Sequence, residues 1–131
     1  MGVKEEATRL HVCGYNCAQS VLTSCREYTG LDDQTALAVS AGLGGGCRCD
    51  EICGAVSGGV MALGLSNPFT DAKDLDAKER IATLAKSFTA AFRERFGCLR
   101  CAELKGDKSN CHAYIEFAAG LAESMITKDN K

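Results

Sequence analysis

The stretch GGGCRCDEICGAVSGG, from Gly44 to Gly59, sets three cysteines among six glycines. Nine cysteines occur in all: Cys13, Cys17, Cys25, Cys47, Cys49, Cys53, Cys98, Cys101 and Cys111. Thiolates are soft ligands and strong nucleophiles, so the chemistry open to such a set is metal ligation or thiol–disulfide exchange. An odd number prevents complete pairing within one chain. The first residues, MGVKEEATRL, lack the apolar segment of a secretory signal, and Glu6 stands where a myristoylation signal carries Ser or Thr. The expected compartment is therefore the reducing cytoplasm, where structural disulfides are rare.

Several cysteines fall at expected helix starts. Asn16 and Asn110 are favoured N-cap residues, which puts Cys17 and Cys111 at first helical positions. Cys53 is expected about one turn into a helix capped by Asp50, with Asp50 and Glu51 as capping charges and not general acids. The field at a helix N-terminus favours thiolate, lowers the cysteine pKa and offers N–H donors to sulfur. Taken singly, each cysteine reads equally well as a small buried hydrophobe, and Cys25, two turns beyond Cys17, is best read that way. Nine together are poorly explained by packing.

Gly54 and Gly58 lie one helical turn apart, with Gly59 adjoining. Each costs about 1 kcal/mol relative to alanine inside a helix. Two readings offset that cost equally well: a neighbouring helix approaching closely, or a bulky inorganic cluster. Gly44-Gly45-Gly46 is no ordinary phosphate loop, since neither a preceding strand nor a following Gly-Lys-Ser/Thr accompanies it. It serves either to bend Cys47 and Cys49 towards Cys53 or as a plain turn. Cys98-Leu99-Arg100-Cys101 is a C-x-x-C pair without the strand–helix context of a thioredoxin, and Ala102 replaces the histidine that haem attachment needs. His112, beside Cys111, has ligand capacity, although a surface or capping role is the ordinary reading; His11 is the only other histidine.

The elements that must position these residues are helices. Ile81, Leu84, Ala85, Phe88, Phe92 and Phe96 share one face of a helix expected over about Ala77–Phe96, entered by Asp74 or Asp76 and closed by Gly97. Further helices are expected over Cys111–Ile126, Cys17–Tyr28 (closed by Gly30), Gln34–Ala41 (entered by Asp32 or Asp33, stopped by Gly42) and Asp50–Leu63 (closed by Gly64), with a short one in the first ten residues. No segment alternates with period two. The expected fold is all-α, a compact bundle of five to six helices with no sheet, forming a single cysteine-rich domain over 1–131.

Composition removes several function classes. A net charge of −2 and the absence of a basic stripe argue against nucleic acid. The longest largely apolar run, Gly54–Leu65, is too short for membrane insertion. No Ser/His/Asp set or Cys/His pair suggests a hydrolase.

Taken together the residues resemble the family of redox-active proteins named for its cysteine pattern, C_GCAxxG_C_C. Gly14-Tyr15-Asn16-Cys17-Ala18-Gln19-Ser20-Val21-Leu22 is similar to its first signature. Cys53-Gly54-Ala55-Val56-Ser57-Gly58, continued by Gly59-Val60-Met61-Ala62-Leu63-Gly64-Leu65, resembles the central one closely. Phe96-Gly97 with Cys101-Ala102-Glu103-Leu104 resembles the third, and Cys111 the fourth. The resemblance implies a helical protein that handles electrons, with no assigned reaction, and four key cysteines: Cys17, Cys53, Cys101 and Cys111. The chain adds Cys13, Cys25, Cys47, Cys49 and Cys98, of which Cys47, Cys49 and Cys98 are candidate additional ligands.

Three readings follow. In the first, the four cysteines bind an iron–sulfur cluster for electron transfer, of a type the spacings do not reveal. In the second, Cys98 and Cys101 work as a metal-free thiol–disulfide pair with Cys53 or Cys111 as partner. The third is a structural zinc site, which usually needs two C-x-x-C knuckles where this chain has one. The redox partner protein is unspecified, and a symmetric homodimer would follow if two copies share the site.

Overall fold

The computed structural model describes residues 2–104 and 111–129. Within them the chain forms α1 (Val3–Val12), α2 (Cys17–Ser24), α3 (Arg26–Thr29), α4 (Asp33–Ser40), α5 (Gly54–Ser66), α6 (Leu75–Phe96), α7 (Cys101–Leu104) and α8 (Cys111–Asp129). The fold is all-α. Among the described residues the sole extended pairing is an isolated antiparallel bridge between Ile52 and Arg100. No helix there is long and apolar enough to cross a membrane.

The sequence explains most of these boundaries. Asp74 starts α6 by accepting from the Ala77 N–H at 3.1 Å, and Gly97 ends it in the left-handed region at φ 89°. Asp32 starts α4 by accepting from the Thr35 N–H at 3.2 Å. That helix ends at Ser40, and a 3-10 turn over Ala41–Leu43 absorbs the stop expected at Gly42.

Two expected helices differ. The one over Cys17–Tyr28 is broken at Cys25 (φ −91°, ψ 14°) into α2 and α3. Ser24 donates its hydroxyl back to the Val21 carbonyl at 2.7 Å, a bond that competes with the helical ladder and tightens the turn. The helix expected from Asp50 begins only at Gly54, so Asp50 is not its cap. Cys47, Arg48 and Asp50 all have φ near +60°, which no right-handed helix accommodates, and Ile52 is held in its bridge.

The core lies where α2, α5 and α8 meet. Helix α2 packs most extensively on α5, and α8 covers α1, α5, α2 and α6. Phe88, Phe92, Leu22, Leu63, Ile115 and Ile126 are its large, fully buried side chains. Two of the helical glycines are explained by this packing. A Cβ on Gly58 would meet the Ala18 carbonyl oxygen at 2.8 Å, and one on Gly59 would collide with the Phe88 ring. Of the two readings of these glycines, close helix approach is the one that applies to Gly58 and Gly59.

Candidate functional site

The four cysteines of the family signature come from four distant parts of the chain and line one cavity of about 200 Å3. Cys17 is the first residue of α2. Its helix start is fixed by a capping box: Asn16 accepts from the Gln19 N–H at 2.9 Å, and the Gln19 side chain accepts from the Asn16 N–H at 3.0 Å. Asn16 also donates to the Ala41 carbonyl at 3.0 Å, and Gln19 donates to the Leu37 carbonyl at 3.0 Å. The start of α2 is thereby tied to the end of α4.

Cys53 and Cys101 are brought together by backbone. The Cys53 N–H donates to the Leu99 carbonyl at 2.8 Å, and the Cys101 N–H donates to the Glu51 carbonyl at 2.6 Å. These bonds flank the Ile52–Arg100 bridge and lay the approach to α5 alongside the approach to α7. The exposed Glu51–Arg100 ion pair at 3.3 Å adds little, because solvent screens it. Cys111 opens α8, and Tyr114 on the same helix donates its hydroxyl to the Leu104 carbonyl at 3.0 Å, joining α8 to α7. Phe96 packs edge-on against Tyr114 at 4.7 Å between centroids, which fixes the start of α8 against the end of α6. The expected Asn110 cap lies outside the described residues.

Among the described residues no cysteine is joined in a disulfide. Burial is the first cause that pushes Cys17 up to about 12, followed by the neighbouring Cys53, Cys111 and Cys101 sulfurs. Burial is the larger effect at Cys53 too and pushes it up to about 11, with the backbone amides of Ala55 and Val56 acting the other way. The expected lowering of the pKa is overturned at Cys17 and Cys53, because desolvation of an isolated thiolate outweighs the amide dipoles.

The cavity walls are small or apolar. Gly54 lies against the Leu43 carbonyl oxygen, the Ala18 N–H and the Cys17 Cβ, and any side chain there would meet them at 3.0–3.3 Å. Leu104 and Tyr114 line the cavity too. His11, at the end of α1, is the histidine the sequence reading passed over. It lines the cavity, and its Nδ1 lies 3.3 Å from Nδ1 of the exposed His112. Burial first, then His112, lowers the His11 pKa. The available signal was only that each histidine stands within two residues of a cysteine.

The remaining cysteines are elsewhere. Cys25 is fully buried in the core, as its helical spacing suggested, and Cys98 is half-buried against that core. Cys13, Cys47 and Cys49 are exposed. None of Cys47, Cys49 and Cys98 is among the residues that line the cavity. Larger surface grooves, such as one of about 470 Å3 beside Glu6, Arg9 and Arg26, carry no thiol.

Over residues 15–125 the chain matches the family described as “Putative redox-active protein (C_GCAxxG_C_C)”. No curated protein and no solved structure matches it. The match spans most of the chain, and the protein belongs to the C_GCAxxG_C_C family.

Proposed function

We propose that Cys17, Cys53, Cys101 and Cys111 ligate an iron–sulfur cluster and that the protein relays electrons through it. The observation that carries this reading is the convergence of these four thiols, from four separate segments, on one cavity.

The donor chemistry fits. Four soft sulfurs with no carboxylate among the lining residues suit iron–sulfur, and poorly suit a hard cation. Alone, the half-buried Cys17 and the buried Cys53 thiols resist ionisation. A positively charged centre reverses that balance, so binding would expel their protons. The Ala55 and Val56 backbone amides, which already oppose the rise in the Cys53 pKa, would then favour a ligating thiolate there. Leu104 and Tyr114 would exclude water. A bound cluster would supply the one-electron chemistry; the chain holds the sulfurs and shields them.

A single zinc ion suits the cavity less well. Tetrahedral zinc with bonds of about 2.3 Å needs its sulfurs roughly 3.8 Å apart. Among the described residues no three Cys, His, Asp or Glu side chains are placed to hold one metal ion. A cluster spreads its thiolates over several irons and accepts a wider set. The Cys98/Cys101 disulfide reading is also weaker, since Cys101 lines the cavity and Cys98 does not.

The test is anaerobic purification with iron and acid-labile sulfide measured before and after reconstitution. We expect both elements in the wild type and in Cys13→Ser and Cys98→Ser, and loss of both in Cys17→Ser and Cys53→Ser. Wild-type protein that stays free of iron and sulfide after reconstitution ends the proposal.

A further inference from the structure

Between the 3-10 turn and α5 the backbone does something unusual. Gly45, Gly46, Cys47 and Arg48 have φ of 64°, 63°, 62° and 64°, a short left-handed coil closed by the Glu51 N–H bonding the Gly46 carbonyl at 3.0 Å. Left-handed backbone brings the Cβ of a non-glycine residue too close to the following carbonyl oxygen, and here Cys47 and Arg48 both bear that strain in succession. Packing holds the coil in place. Arg48 donates to the Ala41 carbonyl at 3.2 Å, and a Cβ on Gly46 would stand 2.9 Å from the Cys101 Cβ.

This conformation has a consequence for the two cysteines it carries. Helical geometry of either hand sets Cα atoms two residues apart at about 5.4 Å. With Arg48 left-handed, Cys47 and Cys49 fall inside the range of about 4.4–6.8 Å that a disulfide spans. An extended Arg48 would hold them at or beyond its upper end. Both thiols are exposed, whereas Cys17, Cys25 and Cys53 are shielded. Cys49 also donates its S–H to the Gly46 carbonyl at 3.5 Å, whereas Cys47 carries the left-handed backbone.

We propose that Cys47 and Cys49 form a surface dithiol that reduces an incoming disulfide, a second redox centre beside the cavity. The Cys47 thiolate, its proton lost to water, attacks one sulfur of the disulfide. That bond breaks, one thiolate leaves and is protonated, and a mixed disulfide remains on Cys47. Cys49 then gives up its proton, attacks the Cys47 sulfur and expels the second thiol. Two electrons pass from the protein to the disulfide, and a Cys47–Cys49 bond closes. The substrate class is an accessible disulfide, of a small molecule or of another protein. The inference is independent of any metal in the cavity.

Peptide mapping tests it. The protein is purified anaerobically, exposed to glutathione disulfide or, in a second arm, to an oxidised thioredoxin-type protein, then alkylated, unfolded and digested with trypsin. Trypsin cuts after Arg48, so a Cys47–Cys49 bond leaves two peptides, 27–48 and 49–73, joined until reduction. We expect that linked pair in the wild type, a stable mixed disulfide on Cys47 in Cys49→Ser, and no link in either single variant. The arm that gives the faster link identifies the source. Because Cys53 lies in the second peptide, fragmentation must place the link at Cys49. Both thiols remaining alkylatable in both arms would overturn the proposal, as would glutathione adducts that never close to a ring. Loss of iron from the double variant Cys47→Ser/Cys49→Ser would also overturn it, by making the pair ligands, while leaving the cluster reading intact.

Discussion

Gly58 lies so close to Ala18 that a side chain of even one carbon on the glycine would meet the Ala18 carbonyl oxygen at 2.8 Å. The contact sets how near α5 can approach α2, and Cys17 and Cys53 stand at the starts of those helices. Further along α5, Gly64 is different: a Cβ there finds nothing nearer than the Ile81 Cδ1 at 4.0 Å. Gly58→Ala should cost about 1–3 kcal/mol by overpacking against rigid backbone. Gly64→Ala should gain about 0.5–1 kcal/mol by removing a glycine from a helix. Denaturant unfolding of the two variants checks the opposite signs; stabilisation by Gly58→Ala would refute the close approach.

Thr23 is buried in α2, and among the described residues its hydroxyl has no hydrogen-bond partner. Thr23→Val keeps the shape and removes the stranded polar group, so it should stabilise the protein by about 1 kcal/mol. A lowered melting temperature would show that the hydroxyl is satisfied.

Asn16 both caps α2 and ties it to Ala41. Asn16→Asp keeps the capping oxygen and loses the donor to Ala41, whereas Asn16→Ala loses both. The alanine variant should be less stable than wild type by about 1–2 kcal/mol, with aspartate in between. Thermal melting that ranks aspartate with alanine would mean that the tie to Ala41, and not the cap, fixes the start of α2.

Stability of the metal-free protein should depend on alkali in a defined direction. Cys17 is pushed up to about 12 and Cys53 to about 11, from an ordinary thiol value of 9.0. The folded state holds these protons more tightly than the unfolded state. Their contribution is therefore complete below about pH 9 and is lost as pH climbs through about 11 to 12. Urea midpoints at about pH 8 and about pH 10.5 should fall more for wild type than for Cys17→Ala. Equal falls would show that Cys17 does not titrate as its burial dictates.

The same burial orders chemical reactivity. Under native conditions near neutral pH, iodoacetamide should label the exposed Cys13, Cys47 and Cys49 well before Cys17, Cys25 and Cys53. Early labelling of Cys53, which is only 3% exposed, would contradict its burial at the base of α5.

Local sequence determined a good deal of this molecule. Asp74 and Gly97 delimit α6, Asp32 starts α4, and Asn16 starts α2, because a cap acts on amides only three residues away and needs nothing from the rest of the fold. The apolar stripe of α6 named Phe88 and Phe92 as core for the same reason: helical period alone decides which residues share a face. The glycines of α5 could be flagged as costly from sequence, but what offset the cost could not, since that is set by Ala18 and Phe88 on other helices.

The cavity belongs to the tertiary structure. A spacing of residues cannot say that the Leu99 and Glu51 carbonyls capture the Cys53 and Cys101 N–H groups, because those bonds join residues about fifty positions apart. Nor could it place Asp50 outside α5, where left-handed backbone at Cys47, Arg48 and Asp50 overrides helix propensity. The pKa shifts of Cys17 and Cys53 follow the same rule. A helix start is legible in the sequence and favours thiolate, but burial is a property of the assembled core, and at these two sulfurs burial is the larger effect.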